Sequence, residues 1–119
     1  MEFKKQKTIY LQIAESLCDR ALAGEWDADG RIPSVRDVAA SLGVNPNTVM
    51  RSFESLQQSD IIYTKRGMGY FLSSDAKEKI IELYRKEFLE EELPAIMQRM
   101  RYLGLDASIF NQQENTKEQ

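Results

Sequence analysis

Asn45, Asn47, Thr48, Arg51, Ser52 and Ser55 are short polar side chains plus one arginine, gathered in a single short stretch of the chain. Amides and hydroxyls of this size can reach base edges in a DNA groove, and an arginine can grip phosphate or guanine. They can do so together only if one rigid element carries them on the same side. Val49, Phe53 and Leu56 recur at helical spacing through the same stretch, so a helix here buries its apolar stripe and leaves the polar set outside. Just before it, Val35, Val38, Ala39 and Leu42 make a second apolar stripe that ends at Gly43. Two helices joined by a tight glycine turn, the second with a polar outer face, describe a helix-turn-helix.

The flanking residues supply the ends of these helices and the elements around them. Ser34 follows Pro33 and precedes Asp37 by three, a variant of the capping box that should start a helix. Asn45 followed by Pro46 is an N-cap and a first helical position, and that helix should run to about Ser59. Upstream, Ile9, Ile13, Leu17 and Ala21 recur every four residues, widened by Tyr10, Ala14 and Cys18, so residues 8–23 should form a helix ended by Gly24. The segment EWDADG after it reads as a loop. Downstream, IIYTK, RGMG and YFLS read as two strands around a glycine turn. The order helix, helix, turn, helix, hairpin predicts a mainly α fold with a small β-hairpin, a winged helix-turn-helix over residues 1–73.

After Ser73 the pattern becomes long helix. Ile80, Leu83, Tyr84 and Phe88 make one apolar stripe, and Leu93, Ile96, Met97, Met100 and Leu103 make another. Pro94, after the acidic run EFLEEE, should kink or break the helix near Glu92 or Leu93. Gly104 should stop the second helix, with about one further turn in ASIF. Two such short helices make a poor core by themselves, and packing on a second copy would bury both stripes in one interface. Residues 74–110 are therefore predicted to be a helical homodimerisation segment. Ile80, Tyr84, Phe88, Leu93, Ile96, Met97, Met100 and Leu103 are its interface. Residues 111–119, with nothing apolar to bury, are expected to be disordered.

Composition narrows the function classes. The 119 residues contain no histidine and one cysteine, which leaves no ligand set for a zinc site and no base for a histidine-dependent hydrolase. Nothing in the sequence asks for a cofactor, and enzyme readings have no residues to stand on. No stretch is long and apolar enough to span a membrane, and the N-terminal lysines are followed by no apolar run of the signal-peptide kind. Cys18 lies in an apolar helical stripe as a packing residue, which fits a reducing cytoplasm. The net charge of −3 is unusual for a DNA binder, but it is unevenly distributed. Residues 1–72 hold nine Lys and Arg against nine Asp and Glu, while 73–119 hold seven against ten. Arg36, Arg51, Lys65 and Arg66 fall in or beside the proposed DNA face, and a local basic patch on a neutral domain suffices for phosphate contacts.

The blocks TIYLQIAESL, GRIPSVRDVAASLGVNPNTVMRSFESL and RGMGYFL, in this order over residues 8–73, resemble the winged-helix domain of GntR-type bacterial transcription regulators. The tail, with LPAIMQRMRYLGLD, resembles the short two-helix dimerisation segment of the YtrA subfamily, and NPNTV at the start of the third helix fits the same subfamily. The resemblance implies a dimeric regulator, usually a repressor, on a palindromic double-stranded DNA operator, in this subfamily often one controlling a transporter operon. It also implies DNA contacts at Ser34 and Arg36 at the start of the second helix. Asn45, Asn47 and Thr48 match the N-terminal turn of the recognition helix, with Arg51 one turn further on. Arg66 and Gly67 match the wing tip, and Lys65 stands beside them. Many relatives carry an acidic residue where Val35 stands and arginine at the position of Pro46 or Met50. A different reading, a winged-helix protein-interaction adaptor without DNA binding, would more often show apolar or mixed-charge residues at 47, 48, 51, 52 and 55. A small-molecule effector at the dimer interface is left open.

Overall fold

The computed structural model describes residues 7–118, and the side chains of residues 7–113. The N-terminal residues that argued against a signal peptide, 1–6, and Gln119 of the expected disordered tail lie outside the described residues. The chain divides into two compact units, residues 7–84 and 85–118. The first therefore runs beyond Ser73, the boundary expected from sequence.

In the first unit, α1 (Ile9–Leu22), α2 (Val35–Leu42) and α3 (Pro46–Gln58) precede an antiparallel hairpin of β1 (Ile62–Lys65) and β2 (Gly69–Leu72). The helix ends follow the expected local chemistry. Ser34 Oγ accepts from Asp37 N–H at 3.1 Å while Asp37 accepts from Ser34 N–H at 3.2 Å, the reciprocal capping box. Gly43 terminates α2 at φ +67°, a left-handed conformation that glycine adopts without steric cost. Asn45 caps α3 by accepting from Asn47 N–H at 2.8 Å, with Pro46 at the first position. The hairpin registers Ile62 with Leu72 and Lys65 with Gly69. Arg31, just after the EWDADG loop, forms a single bridge to Phe71 and adds a short third edge to the wing.

One core joins these elements. Ile13, Leu17 and Ala21 of α1, Val38 of α2, Val49, Phe53 and Leu56 of α3, and Ile62 and Leu72 of the hairpin are all buried in it. Phe53 is fully buried and meets Tyr70 edge-on at 4.8 Å between ring centres. Ile80 and Tyr84, expected on the dimer stripe, serve this core instead. They lie on α4 (Ala76–Glu87), where Ile80 is fully buried and Tyr84 packs against the core. The Tyr84 hydroxyl donates to Asp19 Oδ1 at 2.7 Å and lies 3.2 Å from the Glu15 carbonyl. Burial and the bond to Asp19 push its phenol well above the ordinary range. The apolar stripe on α4 is thus split between an inward pair and the exposed Leu83.

Cys18 is buried and is a free thiol. Burial first, then the nearby carboxylates of Asp19 and Glu15, push its pKa up to about 12 from an ordinary 9.0. Three units correspond to about a thousandfold less thiolate at neutral pH. Cys18 is therefore expected to react with a disulfide reagent at least a hundredfold more slowly in native protein than in urea. Comparable rates in the two states would contradict the buried placement.

In the second unit, Phe88–Glu92 form one π-helical segment leading into α5 (Leu93–Tyr102). The irregularity expected near Glu92 or Leu93, a kink or a break, takes the form of this π-helical segment, with helical backbone on both sides. Leu93 N–H reaches back to the Phe88 carbonyl, and this wider turn directly precedes Pro94, whose missing donor and bulky ring disfavour an ordinary α-turn there. α5 ends as expected, with Gly104 at φ +68° and Leu105 N–H bonded to the Met100 carbonyl at 2.9 Å. The expected disorder from residue 111 is replaced by α6 (Ser108–Glu118). Asp106 supplies the start that the sequence reading overlooked, accepting from Ser108 N–H at 2.9 Å and from its hydroxyl at 2.5 Å. These bonds hold the Asp106 carboxyl below its ordinary pKa. No residue of 85–113 is buried within the chain.

Candidate nucleic-acid interface

The outer side of α3 carries Asn45, Asn47, Met50 and Arg51, all exposed, with Thr48 half-buried at its edge. The Asn45 carbonyl oxygen is occupied by the cap, which leaves its amide N–H groups available as donors. Asn47 makes no side-chain hydrogen bond among the described residues, so both halves of its amide are available. Thr48 accepts through its backbone carbonyl from Ser52. Arg51 is paired with neither Glu54 nor Ser55. Its guanidinium lies 4.2 Å above the ring of Tyr10 on α1. A cation laid flat on an aromatic face keeps its N–H edge free for a phosphate. Tyr10, Arg51, Glu54, Ser55 and Gln58 line a shallow polar depression there.

Ser52 does not belong to this face. It is fully buried, its hydroxyl donating to the Tyr10 carbonyl at 2.6 Å where α3 crosses α1. A serine is small enough for that close crossing, and its hydroxyl is satisfied on the spot. Helical spacing alone put it outside because a serine carries no apolar signal.

Two cationic flanks border the helix. Arg36, at the second position of α2, is exposed and unpaired among the described residues. Ser34 beside it has its oxygen engaged by the cap but retains its hydroxyl hydrogen as a donor. On the other side stands the hairpin. Arg66 and Gly67 occupy its tip, closed by Met68 N–H to the Lys65 carbonyl at 2.9 Å. Gly67 has φ +76°, the conformation the turn demands, and open space where a side chain would sit. Lys65 is less free than expected, because its ammonium lies 4.8 Å over the Phe71 ring on the outer face of the hairpin.

Arg31 was missed by the sequence reading. It pairs with Phe71, and its guanidinium runs along Gly69, where an added Cβ would come within 3.3 Å of its Nε. The arginine thereby joins Lys65 and Arg66 on the wing. Only the pairing of residue 31 with β2 brings it there, and no local pattern in EWDADGRIP announces that pairing.

Comparison with known proteins agrees with this geometry. Residues 9–72 match the family described as bacterial regulatory proteins, gntR family. The HTH-type transcriptional regulator YhcF of Bacillus subtilis (strain 168) is 34% identical over 104 residues, covering 87% of this chain and 84% of YhcF. The HTH-type transcriptional repressor YtrA of the same organism is 32% identical, covering 82% and 75%. Among solved structures, a GntR-family transcriptional regulator from Bacteroides thetaiotaomicron superposes with a TM-score of 0.77 at 42% identity, covering 92% of this chain and 95% of that one. The match extends beyond the winged helix into the helical tail. The chain belongs to the GntR family of bacterial regulatory proteins, on its YtrA-like side, and is a DNA-binding transcriptional regulator rather than an enzyme.

Proposed function

We propose that the protein is a homodimeric, cytoplasmic repressor that binds a palindromic operator through α3, and that the operator governs a transporter operon. The observation that carries the DNA-reading assignment is the outer side of α3. Among the described residues Asn47 makes no side-chain hydrogen bond and Arg51 no ion pair, and the exposed Arg36 and Arg66 stand on the neighbouring α2 and hairpin tip. Asn47 is assigned to base edges. Ser34, Arg36, Asn45, Thr48, Arg51, Lys65, Arg66 and Gly67 are assigned to the phosphate backbone or the adjoining groove. Repression is supported by the name of the relative YtrA.

The dimer is supported by the second unit. Phe88, Ile96, Met97 and Leu103 are 41–64% exposed, more apolar surface than a short helical segment holds in water without a partner. Phe88, Leu93, Ile96, Met97, Met100 and Leu103 are assigned to the interface. Among the described residues no helix is long and apolar enough to cross a membrane. A small effector, if one acts, would bind at this shared interface.

The test is selection of bound duplexes from a random pool at near-physiological salt. An enriched inverted repeat is the expected result, and its spacing reports how far apart the two recognition helices are held. Folded protein that enriches no sequence would overturn the assignment. Within the enriched site, Arg36→Ala and Arg51→Ala are expected to weaken binding on cognate and random DNA alike. Asn47→Ala is expected to cost roughly 1–3 kcal/mol on the cognate site alone. Equal losses on both DNAs for all three variants would remove the division between phosphate and base contacts.

A further inference from the structure

Met50 sits on the outer side of α3, three residues beyond Asn47 and beside Arg51, and it is 38% exposed. Residues three apart on a helix are neighbours on its surface, so Met50 and Asn47 present to the same partner. Met50 is also held in place. The Tyr70 hydroxyl on β2 donates to its sulfur at 3.8 Å, and the Tyr70 ring is fixed edge-on against the buried Phe53. An apolar side chain is thus fixed between recognition helix and wing, on a face otherwise made of amides and a guanidinium.

A thioether offers no strong donor or acceptor, so Met50 cannot take part in the hydrogen-bond readout available to Asn47. Of the features that base pairs expose in the major groove, the one apolar group is the 5-methyl of thymine. We propose that Met50 reads a thymine in each operator half-site by packing against its 5-methyl group, with Tyr70 as the positioning residue. This inference rests on α3 being the DNA-reading helix.

The test starts from the selected operator and replaces each thymine of a half-site in turn by deoxyuridine, which removes the methyl group and leaves every hydrogen-bonding group intact. One such replacement is expected to weaken wild-type binding about three- to ten-fold, the range for losing one buried methyl contact. Met50→Ala is expected to bind the thymine and deoxyuridine sites equally, while Met50→Leu, still apolar, keeps a preference for thymine. Three results would overturn the proposal: no deoxyuridine position that affects the wild type, the same sensitivity in Met50→Ala, or a selected half-site without thymine. These differ from failure of the DNA-reading assignment itself, in which wild-type protein selects no sequence at all.

Discussion

Ile80→Ala is expected to lower the unfolding free energy of the winged-helix unit by about 2–5 kcal/mol, the range for truncating a buried isoleucine. Ile80 is fully buried in the same core as Phe53, Leu56 and Ile62. Its truncation removes apolar contact and leaves a cavity that a close-packed interior fills only partly. Against a typical total of about 5–15 kcal/mol, such a loss moves the urea midpoint far. Leu83→Ala on the exposed side of the same helix is the control, expected within about 0.5 kcal/mol of wild type. A dimer-stripe role for Ile80 would produce a different signature, namely little change in the unfolding of the winged-helix unit and a higher dissociation constant between copies. The two outcomes separate cleanly in melts run at several protein concentrations.

The double variant Met97→Glu with Leu103→Glu is expected to be monomeric by light scattering at micromolar concentration, where the parent is expected to be a dimer. Both side chains are solvent-facing in the single chain, at 48% and 64% exposure, so charge there costs the isolated fold little. Buried in a shared interface, two carboxylates per copy would lack partners and carry a large desolvation cost. Operator affinity is expected to fall by about 10²–10⁴, because two linked half-site contacts become independent ones. Circular dichroism and the melting of residues 7–84 should stay as in the parent. A variant that remains dimeric would place the interface elsewhere on the molecule. Arg101 and Gln98 on the same helix bond each other and Gln98 bonds Tyr102, so the charged substitutions avoid disturbing that local set.

The features that were legible in the sequence are those decided within one helical turn. The capping box at Ser34, the Asn45–Pro46 start, the left-handed stops at Gly43 and Gly104, and the hairpin turn all depend on side chains a few residues from the backbone they serve. The burial of Val49, Phe53 and Leu56 was equally legible, since three apolar residues at helical spacing have one way to leave water together. From these follow the winged helix, the polar outer side of α3 and the family resemblance.

What needed the tertiary structure was the use made of residues whose type is neutral or whose partner is distant. Ser52 went inside because α1 passes close over α3 and the Tyr10 carbonyl is there to accept its hydroxyl, a meeting of residues 42 positions apart. Ile80 and Tyr84 left the dimer stripe because α1 and the hairpin offer them a core first, and Asp19 satisfies the phenol. Arg31 became a wing residue through one bridge to Phe71. Whether Pro94 would kink the helix or break it was decided by a π-turn over Phe88–Glu92. A sequence by itself specifies periodicity, caps and turns, because those energies are local. It leaves open which of several exposed-looking side chains another element will cover, because that depends on packing between segments far apart in the chain.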